Sequence, residues 1–105
     1  MHRQKKEVVK TADDLAEKYP VFFRDVYCGN FCPDRWVPML DRACAIIQSH
    51  FKHMKEPLTS LKVAQTKEKM GGLRFYYDLN TTNSNVKGFV DGVVTMCESL
   101  SWYIK

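Results

Sequence analysis

The sequence predicts an α+β domain: two main amphipathic helices packed on a β-hairpin, a small antiparallel sheet, with a short N-terminal helix. In residues 35–54 and 84–104, apolar side chains recur every three or four positions, which is the spacing of one helical face. In residues 61–79, apolar and polar side chains instead alternate on either side of two adjacent glycines. This is the pattern of two strands joined by a tight turn. A two-stranded hairpin is marginally stable alone, so we expect both helices to cover it.

The chain divides into a flexible basic arm, residues 1–10, and a single domain, residues 11–105. A length of 105 residues allows one modest core, and a hydrophobic share of 45% with a charged share of 27% is ordinary for a globular protein. The formal net charge is +4, and four cations lie in the arm: Arg3, Lys5, Lys6 and Lys10. A charge this mild is weak evidence for nucleic-acid binding.

The short helix is predicted to begin at Thr11, whose hydroxyl can cap it, with Asp13 and Asp14 in its first turn. Pro20 ends it, because the residue before a proline disfavours helical backbone. Residues 20–33 contain helix breakers and aromatic side chains without a clear period. We assign no element there and expect the aromatic side chains to fill the core from a loop or a helical turn: Phe22, Phe23, Tyr27 and Phe31.

The first long helix is predicted to be capped by Asp34, to tolerate Pro38 in its first turn and to end before Pro57. The second long helix follows the turn-forming segment NTTNSN, which is rich in capping side chains. Gly88 and Gly92 lie four residues apart on it, and each weakens a helix by roughly 1 kcal/mol relative to alanine. We expect these glycines to mark close packing against the hairpin or the other helix.

The hairpin is predicted to turn at Gly71-Gly72, because both glycines can adopt positive φ. Met70 then pairs with Leu73, and counting outward gives one apolar and one polar face. The apolar face carries Met70, Leu73, Phe75, Tyr77, Leu79 and Ala64. The polar face carries Lys69, Arg74, Lys67, Tyr76, Gln65 and Asp78. This register also puts Leu61 and Val63 on the polar face. The end of the hairpin far from the turn is therefore either covered by other residues or not part of the strand.

The polar face supplies the candidate partner-binding residues Lys67, Lys69, Arg74 and Tyr76. Lys69 and Arg74 would be directly opposed, and like charges facing each other across strands are destabilising. Either these cations guard an exposed strand edge, or they receive an anion, phosphate or acidic side chains, with Tyr76 as a packing surface. A phosphate-binding glycine loop is not predicted, because an aromatic strand and not a helix follows the glycines.

Four side chains of zinc-binding type come in two closely spaced pairs, Cys28 with Cys32 and His50 with His53. Against a zinc site, the chain has no Cys-x-x-Cys pair, and a histidine suits the last turn of a helix for its dipole alone. We therefore expect no metal and no other cofactor. The basic N-terminus has no apolar segment behind it, so we expect no signal peptide and reduced cysteines.

One segment resembles a known family. "VAQTKEKMGGLRFYYD" is similar to the Lys-Glu-Lys-Phe-Gly-Gly-Leu-Arg-Phe-Tyr signature of small uncharacterised proteins from tailed bacteriophages and prophages. "GNFCPDRWVPMLDRACAII" and "VVTMCESL" resemble the segments before and after that signature. The chain departs from the family at Met70, where an aromatic residue is usual. It departs again at Ser99 and Leu100, where a Cys-x-x-Cys pair would continue, so any zinc knuckle of the family is lost here. The resemblance implies a phage origin and the host cytoplasm.

These observations predict a small phage-type binding protein without catalytic activity, since no Ser-His-Asp set, paired acids or complete metal site is visible. The expected partner is a host protein with an acidic surface, which the basic hairpin face would bind and so modulate or inhibit, in host takeover or anti-defence. The alternative is a nucleic-acid-binding protein that uses the same face and the N-terminal arm. A homodimer through an unpaired hairpin edge is a further expectation. No run approaches the roughly 18 apolar residues of a membrane helix.

Overall fold

The structure, a computed structural model, describes residues 8–26 and 32–105. Along these ranges the main elements are α1 (Ala12–Lys18), α2 (Val37–Met54), β1 (Leu61–Lys69), β2 (Gly72–Leu79) and α3 (Ser84–Leu100). Short 3₁₀ turns lie at Asp34–Trp36, Leu58–Ser60 and Ser101–Tyr103. The two strands form an antiparallel hairpin, and the buried side chains of the helices share one core with it. The predicted α+β architecture is confirmed.

Helix α1 begins as the sequence predicts. The Thr11 hydroxyl accepts a hydrogen bond from the Asp14 N–H at 3.1 Å, and the Asp14 carboxylate accepts one from the Thr11 N–H at 3.2 Å. This reciprocal pair is a capping box. Val9 is buried and the Lys10 N–H also donates to Asp14, so packing starts before the predicted end of the basic arm. Residues 1–7 of that arm lie outside the described residues.

Helices α2 and α3 pack against each other in antiparallel fashion, as contacts at their two ends show. At one end the indole N–H of the fully buried Trp36 donates to the Ser101 carbonyl at 3.1 Å. At the other end the ring of His50 stacks on Phe89, with ring centroids 3.9 Å apart. Large aromatic side chains such as Trp36 bury 150–250 Å² each. Both ends of the helix pair are thus fixed by buried or stacked rings.

The helix boundaries differ from the predicted ones. Asp34 does not cap α2: it opens a 3₁₀ turn, and the N-cap of α2 is Trp36, without a side-chain hydrogen bond. A proline within the first two positions of α2 removes one N–H that a cap would have to satisfy. Helix α3 stops at Leu100, four residues before the predicted end at residue 104, and continues as a 3₁₀ turn. No helix within the described ranges has the length and apolar character needed to cross a membrane.

The two glycines of α3 are not packing sites. No atom lies within 4 Å of the position that a side-chain Cβ would take at Gly88 or Gly92. Both residues are exposed. The expectation of close packing at these glycines was therefore wrong.

The hairpin turns one residue earlier than predicted, at Met70-Gly71. Both residues have positive φ, 55° and 89°, as a type I′ turn requires. Lys69 therefore pairs with Gly72, and Lys67 faces Arg74, the residue predicted to face Lys69. Met70 lies at the tip and is 85% exposed, so its predicted place on the apolar face was wrong.

A β-bulge in β1 corrects the predicted faces at the far end of the hairpin. The register shifts between Val63 and Gln65, which leaves Ala64 without a partner residue across the ladder. The extra residue turns Leu61 and Val63 into the core, where both are buried, while Ala64 is exposed. The predictions that Leu61 and Val63 lie on the polar face and Ala64 on the apolar face were wrong for this reason.

The aromatic segment after α1 lies along the edge of β1. Phe22 and Phe23 are buried, as predicted. The Val63 N–H donates to the Phe22 carbonyl at 2.7 Å, and the guanidinium of Arg24 donates to the carbonyl of Leu61 at 3.1 Å. The other two aromatic residues of the prediction, Tyr27 and Phe31, lie outside the described residues.

The edge of β2 is occupied by side chains from the end of α3 and the turn after it. The Leu73 N–H donates to the Ser101 hydroxyl and the Phe75 N–H to the Glu98 carboxylate, each at 2.9 Å. A second hairpin would need these same donors for edge-to-edge pairing. The homodimer through a hairpin edge stays a prediction, with these contacts as an obstacle to it.

Candidate functional site

The outer face of the hairpin, the side turned away from the core, holds all four predicted binding residues. Side chains alternate along a strand, and Thr66, Leu73 and Phe75 are buried, so their neighbours in sequence point outward. The outer face near the turn therefore carries Lys67, Lys69, Arg74 and Tyr76. The rows from Lys69–Gly72 to Gln65–Tyr76 include five residues of each strand, and the four steps between them span about 13 Å.

The cations of this face are not neutralised by nearby acids. Lys67 and Arg74 are cross-strand partners, and the Lys67 ammonium lies 5.8 Å from the centre of the Tyr76 ring. No ion pair joins Lys69 or Arg74 to an acid in residues 8–26 and 32–105. The adjacent acid Glu68 belongs to the other side of the strand, where its carboxylate pairs with Arg35 at 3.2 Å. The outer face near the turn thus keeps its positive charge.

A fifth side chain, Trp102, reaches this face from the 3₁₀ turn after α3. A Cβ built on Gly72 would lie 2.6 Å from Cζ2 and 2.8 Å from Cε2 of the Trp102 ring. Because Gly72 precedes Arg74 by two residues on β2, that Cβ would point to the outer face. The indole therefore lies over Gly72 beside the cations, and 46% of Trp102 is exposed. We call Lys67, Lys69, Arg74, Tyr76 and Trp102 the tip patch.

The backbone that carries Trp102 is fixed by its buried neighbour Ser101. The Ser101 hydroxyl donates to the Glu98 carbonyl at 2.7 Å and accepts from the Leu73 N–H, while the Ser101 carbonyl accepts from Trp36. Only 1% of Ser101 is exposed. These bonds tie the turn to α2, α3 and β2 together. The position of Trp102 on the outer face is therefore set by the fold before any partner binds.

Sequence reasoning missed Trp102 because Gly72 was assigned to the turn. The turn uses Met70 and Gly71, and among the described glycines only Gly71 has positive φ. A glycine at a strand position often marks a close approach of another group. The turn does not require a glycine at position 72. Gly72 therefore indicated that a large side chain lies above the strand. Nothing in the sequence identified that side chain as Trp102.

Comparison of the chain with protein-family models, with curated proteins and with solved structures found no match. The resemblance to phage proteins stays a prediction.

The tip patch ends where opposite charges balance on the outer face. Two rows beyond Tyr76, Asp78 is the cross-strand partner of Lys62. The Lys62 ammonium also pairs with the Asp25 carboxylate at 3.3 Å. The uncompensated positive charge is therefore confined to the half of the hairpin next to the turn.

The described cysteines and the hydrogen-bonded tyrosines are poorly suited to acid–base or nucleophilic chemistry at neutral pH. Burial and a hydrogen bond to Asp91 raise the pKa of Tyr77, and burial and Asp41 raise that of Tyr19 in the same way. Burial also raises the pKa of the Cys97 thiol to about 11. The nucleophilic form of cysteine is the thiolate, which is scarce at such a pKa.

The zinc hypothesis gains no support from the described residues. Within residues 8–26 and 32–105, no three His, Cys, Asp or Glu side chains are grouped so that they could hold a metal ion. Cys32 is buried, His50 stacks on Phe89 and His53 is exposed in the last turn of α2. Cys28 lies outside the described residues. The expectation that the protein needs no metal stays a prediction.

Proposed function

We propose that the protein is a non-catalytic binding protein that holds an acidic segment of a protein partner on the tip patch. The observation that carries this proposal is the charge of Lys69 and Arg74, which no acid in residues 8–26 and 32–105 pairs, beside two half-exposed rings, Tyr76 and Trp102. The resemblance to phage proteins makes a host protein the candidate partner. Occupying that protein's acidic surface would modulate or inhibit it.

The tip patch offers an acidic segment more than simple attraction. Arginine can bind a carboxylate through two parallel hydrogen bonds, and Arg74 has no acid competing for it among the described residues. A carboxylate between Arg74 and Lys67 would also relieve the repulsion of these cross-strand neighbours. Tyr76 and Trp102 are of the residue types that dominate binding energy at protein interfaces. Their low rotamer freedom, with Trp102 already in place, reduces the entropic cost of binding.

The short length of the tip patch favours a protein over a nucleic acid. An extended nucleic-acid strand is held by a positive groove that follows its backbone, usually for several nucleotides. Here the positive charge covers about 13 Å of hairpin and then meets Asp78 and Asp25. A compact acidic patch matches this area better than a long phosphate backbone does.

Single-stranded nucleic acid is the second candidate, and the two rings are the observation that favours it. Bases stack on exposed aromatic side chains between cations, whatever the sequence. Tyr76 and Trp102 are 44% and 46% exposed and lie among three cations. The cations at residues 3, 5 and 6 would add to such binding, although they lie outside the described residues.

The experiment is a capture of partners from bacterial lysate, with and without nuclease, by the wild-type protein and two double variants. Lys69→Glu with Arg74→Glu reverses the charge of the tip patch. Lys52→Glu with Lys55→Glu changes the net charge equally at exposed positions at the end of α2. We expect a nuclease-resistant partner whose affinity falls at least about tenfold with the first variant only. Capture that disappears with nuclease, and falls steeply with salt, would identify nucleic acid instead. Unchanged capture by a correctly folded Lys69→Glu, Arg74→Glu protein would rule out the tip patch.

A further inference from the structure

A second surface, on the helical side of the domain, is left open by the residues that the structure describes. Helices α2 and α3 leave a groove of about 440 Å³ between them, lined by Met39 and Ile46 on α2 and by Val93, Met96 and Leu100 on α3. Ile46, Met96 and Leu100 are 45%, 61% and 44% exposed. A helix of a small solitary domain normally turns polar residues to solvent at such positions. These neighbouring exposed apolar side chains make the groove a candidate docking surface.

We propose that this groove binds an amphipathic helix of another protein, and that a carboxylate on that helix pairs with Arg42. The proposal is independent of the tip patch, which lies on the outer face of the hairpin. Along α2 the lining runs from Pro38 to Ile46, about 12 Å, which matches a little over two turns of a docked helix. Two of the lining side chains are methionines, which adapt their shape to an incoming apolar surface.

Arg42 determines the charge of the occupant. It is the one charged side chain among the described residues that line the groove, and it forms no ion pair within residues 8–26 and 32–105. An apolar stripe flanked by a single cation is complementary to a helix with an apolar stripe flanked by an acid. The occupant is therefore expected to carry Asp or Glu beside its apolar residues.

Helices α2 and α3 of a second copy do not meet that requirement. The acids of α2 and α3 are all engaged within the fold: Asp41 with Lys18 and Tyr19, Asp91 with Tyr77 and Lys87, and Glu98 with the Phe75 N–H. If two copies joined groove to groove, neither of these helices would offer a free carboxylate to Arg42. Residues 1–7 of the chain itself are also unsuited, because they contain Met1 as their single apolar residue beside three Lys or Arg cations.

The test uses a synthetic, fluorescein-labelled amphipathic peptide of about four turns, with leucines at helical spacing and one glutamate beside them, and a matched peptide with lysine in place of the glutamate. Binding to the full-length protein is measured by fluorescence anisotropy. We expect saturable binding of the glutamate peptide that weakens at least about tenfold with Met96→Glu. Thr95→Glu, at the preceding and also exposed position of α3, is the control and should change the affinity less than about twofold.

Charge exchange at Arg42 tests the identity of the occupant. Arg42→Glu should weaken binding of the glutamate peptide by up to about fivefold and strengthen binding of the lysine peptide by a similar factor. Absence of saturable binding, or equal losses with Met96→Glu and Thr95→Glu, would overturn the proposal. A dimer in sedimentation equilibrium that Met96→Glu dissociates would also overturn it, because a second copy would then occupy the groove.

Discussion

Replacing Gly72 with alanine tests whether Trp102 belongs to the outer face. The new Cβ would lie 2.6 Å from Cζ2 of Trp102, whereas carbon atoms in ordinary contact are about 3.5–4.0 Å apart. The indole must then move by about 1 Å or swing off the strand, and its partial exposure leaves room for it to do so. The backbone itself accepts alanine, because Gly72 does not have positive φ.

Two opposing effects determine the free energy of unfolding of Gly72→Ala. Crowding of a packed group typically costs about 1–3 kcal/mol. Replacing a strand glycine that has ordinary φ with alanine recovers about 0.4–1 kcal/mol, chiefly by restricting the unfolded chain. We therefore expect a net loss of up to about 2.6 kcal/mol in the wild-type background. In a Trp102→Ala background the crowding disappears, and the same substitution should stabilise the protein by about 0.4–1 kcal/mol.

The assay is urea denaturation followed by far-ultraviolet circular dichroism on the wild type, both single variants and the double variant. Tryptophan fluorescence is unsuitable because the buried Trp36 also contributes to it. The prediction is a change of sign: Gly72→Ala destabilises when Trp102 is present and stabilises when it is absent. If the substitution has the same effect in both backgrounds, the indole does not lie over Gly72 and the tip patch loses its fifth member.

Three further predictions concern stability. Phe75→Ala should lower the free energy of unfolding by roughly 3–5 kcal/mol, because Phe75 is buried on the core side of β2; an unchanged melting temperature would place it on the surface. Gly92→Ala should raise the free energy of unfolding by about 1 kcal/mol, since α3 has open space at that position. A lower free energy of unfolding in urea denaturation would show that the new Cβ meets a neighbouring group. Stability should hold up to about pH 9 and fall as the pH rises towards 11. The folded state keeps Cys97 protonated up to a pKa of about 11, whereas the unfolded thiol ionises near 9.0. Denaturation series at stepped pH with a reductant would show this. Cys97→Ala should make the fall shallower without removing it, because burial also raises the pKa of Cys32 and Cys44.

The sequence indicated the tip patch despite an incorrect strand pairing, for a simple geometric reason. Moving the turn by one residue shifts every cross-strand partner by two positions, so each side chain keeps its face. The outer face therefore still carries Lys67, Lys69, Arg74 and Tyr76. The cations that face each other across the strands are Lys67 and Arg74 instead of Lys69 and Arg74. The error arose because Met70-Gly71 and Gly71-Gly72 are adjacent alternatives, and a bulky residue at positive φ is the less expected choice.

Other features depended on contacts between residues far apart in the chain. The end of α3 follows from Ser101, whose hydroxyl binds the Leu73 N–H 28 residues away. Trp102 reaches the outer face for the same reason, so helical periodicity in residues 84–104 could not reveal it. The groove between α2 and α3 became visible only when both helices were placed side by side, because Ile46 and Met96 taken singly are ordinary members of an apolar stripe.

The bulge at Ala64 determines where the hairpin tolerates the loss of a residue. Deleting Ala64 would leave an uninterrupted ladder in which Leu61 and Val63 still face the core and Lys67 still faces outward. Deleting one residue between 65 and 69 would instead move the side chains on one side of the gap to the opposite face. Shortening of this strand, in the laboratory or in evolution, is therefore expected to be neutral at position 64 and disruptive at its neighbours nearer the turn.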